Sequence, residues 1–168
     1  MSKRTPIVLL LALVLVAGCA GNGDDANVEA AAATGGLPVD LAGKDFSLAS
    51  YEGEVVILDF WATWCPPCKR AMPHLQDIHE EYGDKGIHVV AVATDQQGAQ
   101  IVRPFIEKNG YTFRVVPDVT QSLNRDFGGI RSIPTTFIIG PDGEVKDKLV
   151  GYHEKKVYLD AALAAQGS

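Results

Sequence analysis

Two cysteines, Cys65 and Cys68, stand two residues apart in the stretch Asp59-Phe60-Trp61-Ala62-Thr63-Trp64-Cys65-Pro66-Pro67-Cys68. A thiol pair at this spacing can open and close a disulfide, or supply half of a zinc shell. The flanking residues bear on the choice. Val55-Val56-Ile57-Leu58 is an apolar, largely β-branched run that reads as a buried strand. Met72, Leu75, Ile78 and Tyr82 follow at helical spacing. The pair therefore sits where a strand ends and a helix begins. Unpaired N–H groups and the positive end of the helix dipole face the first sulfur there, which favours the reactive thiolate. The second sulfur lies one turn further in, close enough to close a disulfide with the first. Zinc commonly takes two such pairs, or one pair with two histidines. Here there is one pair, and His74 and His79 are five apart. No metal and no organic cofactor are expected, and His74, His79, His88 and His153 are expected at the surface.

Asp59 interrupts the apolar strand. Alternation could point it to solvent. If it is buried instead, its carboxyl holds its proton more tightly and becomes a proton acceptor of useful strength near neutral pH. Pro66 and Pro67 lack N–H groups, which costs little at a helix start. They also remove donors from the neighbourhood of Cys65, and so tune its redox potential. Trp61 reads as core.

The beginning of the chain has a different character. Lys3 and Arg4 precede an uncharged apolar run, Ile7 to Val16. Residues 1–18 read as a secretory signal peptide, too short to span a bilayer. The run closes on Val16-Ala17-Gly18-Cys19, which resembles a bacterial lipobox; the alternative is an ordinary signal peptide followed by a chance cysteine. With a lipobox, Cys19 is the lipidated N-terminus and holds the protein to a membrane. Cys65 and Cys68 then remain as one working pair in an oxidising compartment. Residues 19–36 are poor in large apolar side chains and read as a tether reaching on the order of 20–25 Å. Loss of Lys3 and Arg4 takes the net charge from −6 to −8. No basic run suggests nucleic acid.

Residues 37–168 suit one domain. Leu37 to Leu48 reads as short strands, Val55 to Phe60 as a central strand and Ile87 to Ala93 as its parallel neighbour. Pro73 is expected to kink the first helix. Thr94 to Gly98 is a polar loop. Gln100 to Asn109 is a helix turning Ile101, Val102, Phe105 and Ile106 inward, regular only from about Pro104 onward. Tyr111 to Val116 is a strand and Ser122 to Phe127 a short helix. Pro141-Asp142-Gly143 is a hairpin turn joining Thr135–Ile139 to Glu144–Val150. The last helix, Glu154 to Gln166, presents Val157, Leu159, Ala162 and Leu163. The sum is an α/β fold with a mixed sheet and helices on both faces.

The WCxxC stretch, the aspartate six residues before it, and Ile133-Pro134-Thr135-Thr136-Phe137 together resemble the thioredoxin superfamily. The long interval from Cys68 to Pro134, with room for an extra strand–helix unit, narrows the likeness to its TlpA/ResA-like branch. The resemblance covers about residues 37 to 166. It implies a thioredoxin-like fold, with Cys65 as the exposed nucleophile, Cys68 as the buried resolving thiol and Asp59 handling the proton of Cys68. It implies substrate contact at Trp64, Pro66, Pro67, Ile133 and Pro134, the last with a cis peptide bond. Many ResA-like proteins carry a glutamate three residues after the second cysteine; here that residue is Ala71, and the chain follows the thioredoxin pattern. The implied function is reduction of protein disulfides outside the cytoplasm, as in cytochrome c maturation, by a monomer served by a membrane electron donor. A disulfide-donating oxidase and a thiol peroxidase are the alternatives within the enzymes. A metallochaperone and a thiol-binding module are those outside.

Overall fold

The structure is a computed structural model and describes residues 37–167. Residues 1–36, on which the expected signal peptide, the lipidation at Cys19 and the expected tether fall, lie outside the described residues. Five strands form one sheet in the order β3-β2-β1-β4-β5. Strand β1 is Val55–Trp61, β2 Ile87–Ala93, β3 Arg114–Pro117, β4 Thr135–Ile139 and β5 Val145–Val150. The first three run parallel, β4 is antiparallel to β1, and β5 is antiparallel to β4. Every residue of β1 is buried, as the unbroken apolar run requires of a strand covered on both faces.

Helix α1 is Pro66–Tyr82, α2 Ala99–Asn109, α3 Ser122–Asp126 and α4 Lys155–Gln166. One sheet face carries α1 and α4. Ile57 and Trp61 meet Met72, Leu75 and Ile78 of α1 there, with Tyr158 and Ala162 of α4. The other face buries Val56, Leu58 and Phe60 against Phe46, Leu123, Phe127 and Phe137. Between α1 and β4 the chain passes through both β2–α2 and β3–α3, so the additional strand–helix unit is present, with β3 at the sheet edge. The hairpin turns at Gly143, whose φ of +80° suits glycine.

Several expectations need correction. Leu37 to Leu48 holds no strand pair; a single bridge joins Val39 to Asp45, and a 3-10 helix occupies Leu48–Tyr51. Helix α2 is regular from Ala99, with Pro104 inside it. Pro104 is exposed, and five residues already precede it in the helix. Helix α1 also contains an internal proline, the exposed Pro73, at which the kink is expected. In α4 the buried residues are Tyr158, Ala162 and Ala165, whereas Val157 and Leu163 are exposed. Its weakly amphipathic sequence offers nearly equivalent faces, and the site beneath Tyr158 decides between them. The four histidines are half-buried; His88 Nε2 lies 2.6 Å from a Glu54 carboxylate oxygen, and His74 lies 3.1 Å from the Tyr152 hydroxyl.

Candidate active site

Strand β1 ends at Trp61, a tight turn carries Ala62 to Trp64, and α1 starts at Pro66. Cys65 is the N-cap of α1, in extended conformation, and Cys68 stands one turn inside. The two sulfurs form a disulfide. Cys65 Sγ accepts the Cys68 N–H at 3.2 Å. Pro66 and Pro67 fill the first two helical positions, so one backbone donor reaches this sulfur rather than two. Cys65 is also less open than expected. It is 3% exposed and Cys68 0%, so in the disulfide the first sulfur shows only an edge to solvent.

The turn before Cys65 is pinned from below. Asp95, beyond the end of β2, is 1% exposed. Its carboxylate accepts the Thr63 backbone N–H at 3.0 and 3.3 Å and the Thr63 hydroxyl at 2.7 Å. Neither Thr63 nor Asp95 stood out in the sequence. The polar Thr94–Gly98 loop was visible, but not that one of its carboxylates folds inward.

A second loop faces the sulfurs. The Ile133–Pro134 peptide bond is cis, and the Ile133 carbonyl oxygen lies 3.8 Å from Cys65 Sγ. Asn124 of α3 holds this loop, accepting the Ile130 N–H at 2.8 Å. Trp64 is 68% exposed. With Gln96, Gln97, Asn124, Arg131 and Ile133 it lines an open groove of about 480 Å³. Trp61, in contrast, is fully buried, its ring 5.2 Å from that of Phe105.

Asp59 is fully buried, which decides between the two orientations open to it in the sequence. Burial pushes its carboxyl up to about 7, and a hydrogen bond from Thr136 works in the opposite direction. The Thr136 hydroxyl donates to Oδ1 at 2.7 Å, and Oδ2 has no hydrogen-bond partner. Among the described residues no three His, Cys, Asp or Glu side chains are grouped as metal ligands would be. The arrangement can exchange one disulfide for another, and its buried carboxyl can hold one proton.

A model of the AhpC/TSA family matches residues 26–148. The chain belongs to the AhpC/TSA family. Among curated relatives in this thioredoxin-like family, the thiol-disulfide oxidoreductase ResA of Bacillus thuringiensis is 33% identical over 117 residues, which is 70% of this chain and 66% of that protein. The match thus spans a little under two thirds of that relative's length. Among solved structures, a thiol:disulfide interchange protein of the thioredoxin family from Chlorobium tepidum aligns with a TM-score of 0.70 and 31% identity, over 79% of this chain and 96% of that one. The pneumococcal exposed lipoprotein thioredoxin from Streptococcus pneumoniae aligns with a TM-score of 0.67 and 26% identity, over 76% and 96%. The fold expected of the thioredoxin-like branch is borne out by these alignments.

Proposed function

We propose that the chain is a thiol–disulfide oxidoreductase that reduces protein disulfides outside the cytoplasm. The observation that carries this reading is the Cys65–Cys68 disulfide at the start of α1, facing the Ile133–Pro134 loop. In the reduced enzyme the Cys65 thiolate attacks a partner disulfide. A bond forms between Cys65 and one partner sulfur, and the other partner sulfur leaves as a thiolate. Cys68 then gives its proton to Asp59 and attacks Cys65 Sγ. The Cys65–Cys68 disulfide forms, the second partner sulfur leaves, and two electrons have passed to the partner. Trp64, Pro66, Pro67, Ile133 and Pro134 make the surface on which the partner lies.

Substrates are cysteine-containing proteins, with apocytochrome c before haem attachment the class that resemblance to ResA suggests. A membrane thiol–disulfide carrier returns the enzyme to the dithiol state. The protein acts as a monomer, anchored by lipid on Cys19 after removal of residues 1–18. The lipobox-like Val16-Ala17-Gly18-Cys19 supports the anchor, as does the similarity to the pneumococcal exposed lipoprotein thioredoxin.

The reduction potential of the Cys65–Cys68 pair tests the direction. A value near −270 mV, roughly thioredoxin's, fits a reductant, whereas roughly −120 mV, the value of a strong disulfide donor, would replace this reading with an oxidase. Full disulfide-reducing activity in Cys65→Ala would overturn the mechanism. A Cys19→Ser protein that still partitions with membranes would overturn the anchor.

A further inference from the structure

On β1, Asp59 stands directly opposite Thr136 of β4 on one side and Ala91 of β2 on the other. Ile57 and Trp61, two residues either way, belong to the same buried cluster as Cys65 and Cys68, so strand alternation turns Asp59 toward that cluster. It thus lies on the sheet face that carries Cys68 of α1; the polar groups acting on it are the Thr136 hydroxyl of β4 and the Tyr158 phenol of α4, and among the described residues no cation offsets its charge. The carboxylate is divided. Oδ1 is engaged by the Thr136 hydroxyl at 2.7 Å, while Oδ2 is fully buried and unpartnered.

We infer that Thr136 is a positioning residue for the exchange reaction proposed above, on whose reading of Asp59 this rests. Its hydroxyl anchors Oδ1, favours the ionised carboxylate and leaves Oδ2 to take the proton of Cys68. In that step the Cys68 S–H bond breaks and its proton passes to Asp59. The sulfur electron pair forms the bond to Cys65 Sγ, and the partner sulfur leaves with the electrons of the bond it loses. Asp59 later gives the proton to solvent.

The physical argument is one of opposed effects. A carboxyl sealed in an apolar core resists ionising, and with nothing to offset that it would hold its proton too tightly to act as a base. A hydrogen bond donated to the charged form works the other way, and is among the stronger kinds. Tyr158 of α4 acts on the same carboxyl electrostatically. It is fully buried, and its oxygen accepts the His153 backbone N–H at 3.2 Å.

The experiment compares Thr136→Val, which keeps the shape and loses the hydroxyl, with Thr136→Ser, which keeps the hydroxyl, and with Asp59→Asn. Two readouts are taken: the carbon-13 shift of the Asp59 carboxyl against pH in the oxidised protein, and the pH dependence of mixed-disulfide resolution by Cys68. In Thr136→Val the Asp59 titration moves up by about one pH unit, a tenfold rise in proton affinity. The midpoint of the resolution profile moves with it, and Thr136→Ser stays near wild type. A wild-type titration in Thr136→Val, or a Thr136→Ser that behaves like Val, overturns the inference. If Asp59→Asn removes the midpoint while Thr136→Val leaves it in place, only the role of Thr136 falls. If Asp59→Asn leaves the profile unchanged, Asp59 is not the base, and both readings fall.

Discussion

Both carboxylate oxygens of the buried Asp95 accept the backbone N–H of Thr63, two residues before the first active-site cysteine, and one of them also accepts its hydroxyl. The carboxylate beyond the end of β2 therefore fixes the turn that delivers Trp64 and Cys65. Asp95→Ala leaves the Thr63 donors without this acceptor, at a cost of about 2–3 kcal/mol, as expected for bonds to a charged acceptor. Because small displacements of reacting groups are expensive, kcat/KM falls roughly tenfold as well. Asp95→Asn, which keeps one acceptor oxygen, lies between the two. Urea midpoints and insulin-disulfide reduction measure both effects; unchanged kcat/KM in Asp95→Ala would mean the turn holds its shape without it.

The same site sets a stability trend with pH. Asp59 titrates near 7 in the fold and near 3.9 in the unfolded chain. Between those values the unfolded state has lost a proton that the folded state keeps. The contribution of Asp59 to stability is therefore full below pH 4, is lost as the pH rises, and levels off above 7. At about 1.4 kcal/mol per unit the loss is on the order of 4 kcal/mol. Asp59→Asn removes this slope, and the oxidised variant should exceed wild type in stability at pH 8. Denaturant titrations of the two proteins from pH 4 to 8 give the difference curve; parallel curves would assign the proton elsewhere.

The parts of this molecule legible in sequence are those where one residue run settles its own environment. Val55–Phe60, Ile87–Ala93 and Thr135–Ile139 are dominated by β-branched and apolar residues that suit a covered strand, and their boundaries hold within a residue. The Cys65–Cys68 spacing carried its chemistry with it, and Pro134 was placed by resemblance. What stayed hidden depends on distant partners. Thr136 meets Asp59 across 77 positions and Asp95 meets Thr63 across 32, and an ordinary threonine or loop aspartate gives no local sign of either. The buried face of α4 is hidden for the same reason: Val157 and Leu163 are as apolar as a buried face requires, yet the sheet takes Tyr158.

Trp64 separates binding from folding. At 68% exposure it contributes little to the core, so Trp64→Ala should change stability by no more than about 0.5 kcal/mol. Large exposed aromatics are anchors when a partner covers them. The loss should fall on KM, at about tenfold or more with a protein substrate, while kcat is nearly kept. Trp64→Phe should recover much of it. An unchanged KM in Trp64→Ala would take the groove beside it out of the binding surface.

The loop opposite the sulfurs is tied to the additional strand–helix unit through one side chain. Asn124 accepts the Ile130 N–H at Oδ1, 2.8 Å away, and its own backbone N–H donates to the buried Asp118 at 2.9 Å. Gly128 and Gly129, which precede Ile130, both have positive φ, so this stretch has little stiffness of its own. Three residues later the same loop sets the Ile133 carbonyl beside Cys65. Asn124→Ala should therefore speed hydrogen exchange at Ile130 at least tenfold, since opening no longer breaks that bond. It should also lower kcat/KM for protein disulfides by several-fold, through looser placement of Ile133. Asn124→Asp retains the acceptor and should keep Ile130 protected. If Asn124→Ala exchanges faster yet reduces its substrates at the wild-type rate, Ile133 is positioned by the sheet alone, and the additional unit serves the edge of the fold rather than the site.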